Sequence, residues 1–110
     1  MNYKILTTEK FERHLKRLAK KYPSLKTDLT PILQRLTEQP EQGDSLGKNC
    51  YKIRVAIKSK GKGKSGGSRL ITHVHVMQTT VILLTIYDKS EKEDLSQGEL
   101  EELLALLTLH

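Results

Sequence analysis

The sequence predicts an α+β domain with the element order β-α-α-β-β-β-α: a small, antiparallel-rich sheet with a helical hairpin packed on one face. Three observations predict it. Two consecutive stretches repeat apolar residues at helical spacing. Three later stretches alternate apolar and polar residues with the period of a strand. A leucine stripe then closes the chain. With 110 residues there is room for one core, so residues 1–110 are expected to form a single domain.

Tyr3 to Leu6 is a short first strand. Thr8 stands where an N-cap belongs, and Glu9 meets the positive end of the helix dipole. Phe11, Leu15, Leu18, Ala19 and Tyr22 then mark one helix face, and Lys10, Arg13, Lys16, Arg17 and Lys20 mark the other. Pro23 stops this helix, because the residue before a proline is pushed out of helical space. Ser24 is placed to cap the next one, whose stripe is Leu25, Leu29, Ile32, Leu33 and Leu36. Pro31 lies inside that stripe. Either Thr30 is a second cap, with Pro31 as the first helical residue, or the helix kinks there. A single kinked helix is preferred, since the stripe runs through, and it ends before Pro40. Residues 41–49 read as a loop.

The three strands are Tyr51 to Lys58, Arg69 to Met77 and Thr80 to Lys89. Ile53, Val55 and Ile57, then Leu70, Thr72, Val74 and Val76, then Ile82, Leu84 and Ile86 are expected on the face toward the helices. The opposite face should gather Lys52, Arg54, Lys58, Arg69, His73, His75, Tyr87 and Lys89. Ser96 and Glu99 have capping-box spacing, and Leu100, Leu103, Leu104 and Leu107 make a short last helix.

Charge is not spread evenly. The chain has 19 Lys and Arg against 13 Asp and Glu. Between Ser45 and Tyr87 there is no acidic residue, but Lys48, Lys52, Arg54, Lys58, Lys60, Lys62, Lys64 and Arg69 all fall there. Outside that block 11 basic residues face 13 acidic ones. One concentrated positive block implies a polyanionic partner. No apolar run approaches the length of a membrane span, and the N-terminus lacks a signal-peptide pattern, so a cytoplasmic protein is expected. Cys50 is the only cysteine. An intrachain disulfide is excluded, and a buried, inert thiol is the expectation.

Several chemistries fail on spacing. The run Gly61-Lys62-Gly63-Lys64-Ser65 suggests a phosphate-binding loop, but position 58, where its first glycine belongs, is Lys58, and a strand follows rather than a helix. It reads instead as a hairpin tip with phosphate-seeking lysines. His73 and His75 share a strand face but lack further ligands, so no metal and no cofactor is expected. No nucleophilic triad or carboxylate pair is evident. What remains is Lys52, Arg54, Arg69 and Lys89. These bind phosphates, or they cleave RNA without metal through attack of a ribose 2′-oxygen on the neighbouring phosphate. Cleavage needs a base, charge stabilisation at phosphorus and an acid for the leaving oxygen. Lysine serves as a base only where its pKa falls, as in a crowd of cations, and arginine suits the phosphate.

The order of elements, with the segments LGKNCYKIRVAIKSKGKGKSGGSRLIT and LLTIYDKSEKEDLS, resembles the RelE/ParE superfamily of bacterial toxins, and within it a RelE-type branch near HigB-like members. The resemblance implies a RelE-like fold and a toxin of a type II toxin–antitoxin pair that cuts messenger RNA on the ribosome. It implies Lys52 as base or phosphate contact, Arg54 and Arg69 as transition-state stabilisers, and Lys89 at the leaving group. Lys58, Lys60, Lys62, Lys64, His73, His75 and Tyr87 are the expected RNA contacts. The functional tyrosine that RelE carries just past its last strand has no counterpart in Glu91 to Leu95. The implied partners are the ribosome with its mRNA and an antitoxin encoded by an adjacent gene, with an acidic or amphipathic segment that covers the basic face or displaces the last helix. Two other readings stay open: a ParE-like inhibitor of DNA gyrase, since fold does not dictate function, and an RNA-binding module without activity.

Overall fold

The computed structural model describes residues 2–61, 63 and 66–107. Its elements are β1 (Lys4–Thr7), α1 (Glu9–Lys21), α2 (Leu25–Glu38), β2 (Asp44–Gly47), β3 (Cys50–Val55), β4 (Ser68–His75), β5 (Thr80–Asp88) and α3 (Glu99–Leu107). The sheet order is β1-β5-β4-β3-β2. β1 runs parallel to β5, and the other neighbours are antiparallel.

The helical hairpin forms as its stripes dictate. Thr8 caps α1: its hydroxyl oxygen accepts from the Phe11 N–H at 3.1 Å. Phe11, Leu18 and Tyr22 of this hairpin join Leu25, Leu29, Ile32 and Leu36 in one core with Ile53, Val55, Leu70, Val74, Val81, Leu83 and Ile86 from the sheet. Each fully buried aliphatic side chain there stabilises the fold by about 1.5–3 kcal/mol. α2 is one helix through Pro31, as its stripe predicts. Ser24 does not cap it. Its hydroxyl instead donates to the Asp28 carboxylate at 2.8 Å and accepts from the Ser59 N–H at 2.8 Å, tying the helix start to the segment after β3.

Three expectations are corrected. First, residues 44–47, read as loop, form β2. The hairpin into β3 turns at Lys48 and Asn49, both with positive φ (55° and 59°). A two-residue turn of this kind favours Asn or Gly at both positions, and a lysine at the first one hides it. Second, β3 ends at Val55, not Lys58, and residues 58–60 form a 3-10 turn. Third, the alternation along β5 is broken. Ile71 pairs with Thr85 but Thr72 pairs with Leu83, so Leu84 is a bulged, skipped residue. An inserted residue shifts the phase of every side chain beyond it. Val81, Leu83 and Ile86 therefore face the hairpin, while Ile82 and Leu84 point the other way, with Tyr87.

That other face is consequently not a bare basic surface. Leu103 of α3 packs with Cys50, Ile71, Leu84 and Tyr87 in a second, smaller core, flanked by Leu100, Leu104 and Leu107. The layers are hairpin, sheet and last helix. Ser96 and Glu99 meet as their spacing predicts: the Ser96 N–H donates to Glu99 Oε1 at 2.9 Å.

Candidate nucleic-acid interface

β3 and β4 are paired so that Arg54 stands directly opposite Arg69, and Arg69 in turn stands opposite Tyr87 on β5. The three side chains form one row across the sheet face away from the hairpin. Lys52 is one step along, opposite Ile71 and about 7 Å from Arg54 along the strand. Like charges directly opposite one another on a sheet destabilise it. The two arginines differ in access: Arg54 is exposed, whereas Arg69 is only 4% exposed. Arg69 is held by its own strand, with Nη1 donating to the Ser68 carbonyl at 3.1 Å.

The connector between β5 and α3 lies over this row. Asp94 reaches back to Lys52, whose Nζ is 3.4 Å from its carboxylate, and the Tyr87 hydroxyl donates to Asp94 Oδ1 at 3.3 Å. The Leu95 N–H, then Lys52, hold Asp94 below its ordinary pKa. Burial, followed by the Asp94 charge, pushes the Tyr87 phenol up to about 12. The Lys92 ammonium stands 5.8 Å from the centre of the Tyr87 ring and is paired with Glu99. A carboxylate therefore does reach the basic face. It comes from 42 positions away from Lys52, with no spacing signal to announce it.

The other predicted RNA contacts are scattered. Lys58 is not on the sheet face. Because β3 stops early, Lys58 turns toward α2, and its N–H donates to Asp28 Oδ2 at 3.0 Å. Lys60 points inward: its ammonium is 2.6 Å from Asp88 Oδ1 and 3.0 Å from Ser90 Oγ. Lys62 and Lys64 lie outside the described residues. His73 and His75 are half-buried, with rings 6.3 Å apart and edge to face. Burial, then His75, lowers the pKa of His73. Among the described residues no three metal-ligating side chains converge. Tyr87 is buried, 5% exposed, beneath the connector. Lys89 follows β5 and is half-buried, with its N–H donating to the Gly67 carbonyl at 3.1 Å. Gly67 is needed there, because a Cβ at that position would sit 2.1 Å from the Val55 carbonyl oxygen.

A buried cluster that the sequence does not reveal fixes the base of the Lys/Gly-rich loop. Asp88 is fully buried, and it accepts from Tyr22 Oη at 2.6 Å, from Lys60 and from Ser90. Burial alone would raise its pKa, but these bonds hold its carboxyl well below the usual carboxylate range. Cys50 is fully buried, with Sγ 3.5 Å from His73 Nδ1. Burial pushes its thiol up to about 11, against the pull of Lys48.

The comparisons with known proteins agree with this architecture. The isolated RelE toxin of E. coli superposes with a TM-score of 0.59 at 21% identity, covering 94% of this chain and 98% of that one. The toxin–antitoxin complex RelBE of E. coli gives 0.61 at 19% identity, over 78% and 95% of the two chains. The RelBE2 complex of Mycobacterium tuberculosis gives 0.55 at 16% identity, over 80% and 99%. At these identities the likeness is one of fold. The family itself follows from a model described as the RelE toxin of the RelE/RelB toxin–antitoxin system, which matches residues 3–109. With all but three of its 110 residues inside that match, this chain belongs to the RelE family of toxins, the toxin component of a toxin–antitoxin system.

Proposed function

We propose that this toxin is a ribosome-dependent endoribonuclease that cuts messenger RNA without a metal, by attack of a ribose 2′-oxygen on the adjacent phosphate, and so blocks translation. The observation that carries this reading is the Arg54–Arg69 pair opposed across β3 and β4. Two guanidiniums in register cost the sheet stability, and they form a preorganised clamp for the charge that builds on a phosphate in the transition state. Lys52, on the same face, contacts the phosphate or, once RNA has displaced Asp94, takes the proton of the 2′-hydroxyl. Lys89, after β5, serves the leaving 5′-oxygen.

Substrate must reach a face that the connector now covers. Asp94 stands in for an anion on Lys52, but its side chain is 61% exposed, against 19% for Lys52, and a pair open to water on one side contributes about 1 kcal/mol. An RNA phosphate can take its place on Lys52 at little cost, whereas Arg69, 4% exposed, is reached only when the connector moves aside. Tyr87, buried as it is, does not serve as a stacking platform in this arrangement.

The partner is an antitoxin. The E. coli and M. tuberculosis relatives were solved in complex with theirs. For this chain we expect an adjacent gene to encode one, with an acidic or amphipathic segment that covers the Arg54–Arg69 face or displaces α3. Among the described residues no helix is long and apolar enough to cross a membrane, and action on ribosomes places the work in the cytoplasm. Programmed ribosomes kept intact in Mg²⁺ and incubated with the purified chain test the reading: messenger RNA cut to ends bearing a 2′,3′-cyclic phosphate is expected, and intact message with inhibited gyrase supercoiling overturns it.

A further inference from the structure

β5 changes phase at Leu84, and its carbonyls record the change. Neighbouring residues of a strand point their carbonyls to opposite edges. On the edge of β5 away from β4, the Thr79 carbonyl takes the Lys4 N–H, and β1 runs alongside until Thr7 stands opposite Leu83. Up to that point the odd-numbered residues present their carbonyls to this edge. Leu83 and Leu84 then both do so, and Ile86 follows. Past the bulge the even-numbered residues have taken over, as one inserted residue requires.

β1 has ended here, so the carbonyls of Leu84 and Ile86 have no strand to pair with on this edge. Side chains at the start of α1 supply the donors instead. Thr8 Oγ1 lies 3.1 Å from the Leu83 carbonyl oxygen and 3.0 Å from that of Leu84. His14, half-buried, sets its Nδ1 3.3 Å from the Ile86 carbonyl oxygen and 3.4 Å from the hydroxyl of Thr85, which is buried. A carbonyl only accepts, so Nδ1 carries the proton. Burial, then the charges of Lys10, Arg13 and Arg17, lowers the pKa of His14 against the pull of the Ile86 carbonyl. The ring is therefore mainly neutral near pH 7, with one N–H to place.

The His14 bond exists only in the shifted frame. Were β5 to continue without the bulge, Arg69 would stand opposite Ile86 rather than Tyr87. Thr85 and Tyr87 would turn their carbonyls toward α1. Ile86, now buried in the main core, would move to the face of the arginines. We infer that His14 is a positioning residue for the candidate site: its N–H on the Ile86 carbonyl holds β5 in the frame that sets Tyr87 opposite Arg69, and so keeps the Arg54–Arg69–Tyr87 row in register. His14 acts through the strand, from the layer behind the sheet. Its bearing on cleavage rests on the endoribonuclease reading, whereas its hold on the frame does not.

Three variants of the full chain separate the N–H from the bulk of the ring. In His14→Asn the amide nitrogen falls where Nδ1 stands, in His14→Gln it falls where Nε2 stands, and His14→Leu has none. The amides of Arg69 and Tyr87 report the frame, since these residues pair across the ladder. In the Leu and Gln variants their hydrogen-exchange protection should fall about tenfold, the scale of one lost hydrogen bond, while that of Val81, before the bulge, holds. On programmed ribosomes kcat should fall about tenfold with KM within about twofold, because misplaced groups slow the chemical step. His14→Asn should stay within about threefold of wild type in both measurements. The Gln variant carries the test if the Leu variant does not fold. Wild-type protection of Arg69 and Tyr87 in the Gln variant overturns the inference. So does an Asn variant as impaired as the Gln one, since the N–H position would then not matter. Protection lost equally at Val81 marks general loosening and overturns it too, and protection lost with kcat unchanged removes the role in the reaction. A wild-type chain that cuts no RNA removes the ribonuclease reading and leaves the exchange measurement to decide whether His14 holds the frame.

Discussion

Arg54 and Arg69 face one another across the β3–β4 ladder, one exposed and one buried. The fold holds two positive charges where a sheet prefers opposite or neutral partners. Replacing Arg54 by Gln is therefore expected to stabilise the domain, by a few tenths to about 1 kcal/mol. The same change should lower RNA cleavage about a hundredfold or more, the scale on which one charge-stabilising group acts. Urea denaturation and a cleavage assay on one preparation separate the two effects. A destabilised variant with full activity contradicts both.

Asp94 is the group that RNA must displace. Asp94→Asn removes its charge from Lys52 and keeps a hydrogen-bond acceptor for Tyr87. Because Asp94 is exposed, stability should change by about 1 kcal/mol or less. RNA binding should tighten by up to about fivefold, the equivalent of that energy. Fluorescence anisotropy with a short oligoribonucleotide reads it, and weaker binding counts against a displaceable Asp94.

Asp88 anchors the base of the basic loop through Lys60, Tyr22 and Ser90. Its carboxyl is held below its unfolded value of about 3.9. The stabilisation it contributes is thus complete above about pH 4 and is lost as pH falls through the depressed folded value. Asp88→Asn should lose about 3–5 kcal/mol at pH 7, because it leaves the Lys60 charge without its partner. That is a large part of the usual total of about 5–15 kcal/mol. The gap between wild type and variant should narrow toward pH 2. A gap that stays constant with pH contradicts the assignment.

Cys50 is buried, with its thiol raised to about 11. At pH 7.5 labelling by a thiol reagent should be slow in the native chain and fast in urea, and removing the thiol with Cys50→Ala should leave RNA cleavage intact. Rapid native labelling would place the thiol in solvent.

Much of this fold is legible in periodicity alone. The stripes from Phe11 to Leu36 specify the hairpin, and Ile53, Val55, Leu70 and Val74 face it as their alternation requires. The failures are local and physical. Leu84 is a bulge, and a bulge has the same composition as the strand around it, so the phase of β5 shifts unseen. β2 depends on left-handed backbone at Lys48, which no lysine advertises. For the site, residue type and charge bring Lys52, Arg54 and Arg69 to one face. They cannot show that Asp94 bridges Lys52 and Tyr87, because that contact joins segments through the path of a loop. Lys60 reads as one more lysine of a charge run until its partner Asp88, 28 positions on, is seen beneath it.

The central claim is that the Arg54–Arg69 face cuts RNA by attack of the neighbouring 2′-oxygen. The chemistry of the cut ends tests it most directly. Message recovered from intact ribosomes treated with the chain should carry a 2′,3′-cyclic phosphate on one side of the cut and a 5′-hydroxyl on the other. The Arg54→Ala/Arg69→Ala variant, still folded, should leave the message whole. A 5′-phosphate at the cut, or undiminished cleavage by the double variant, would contradict the account.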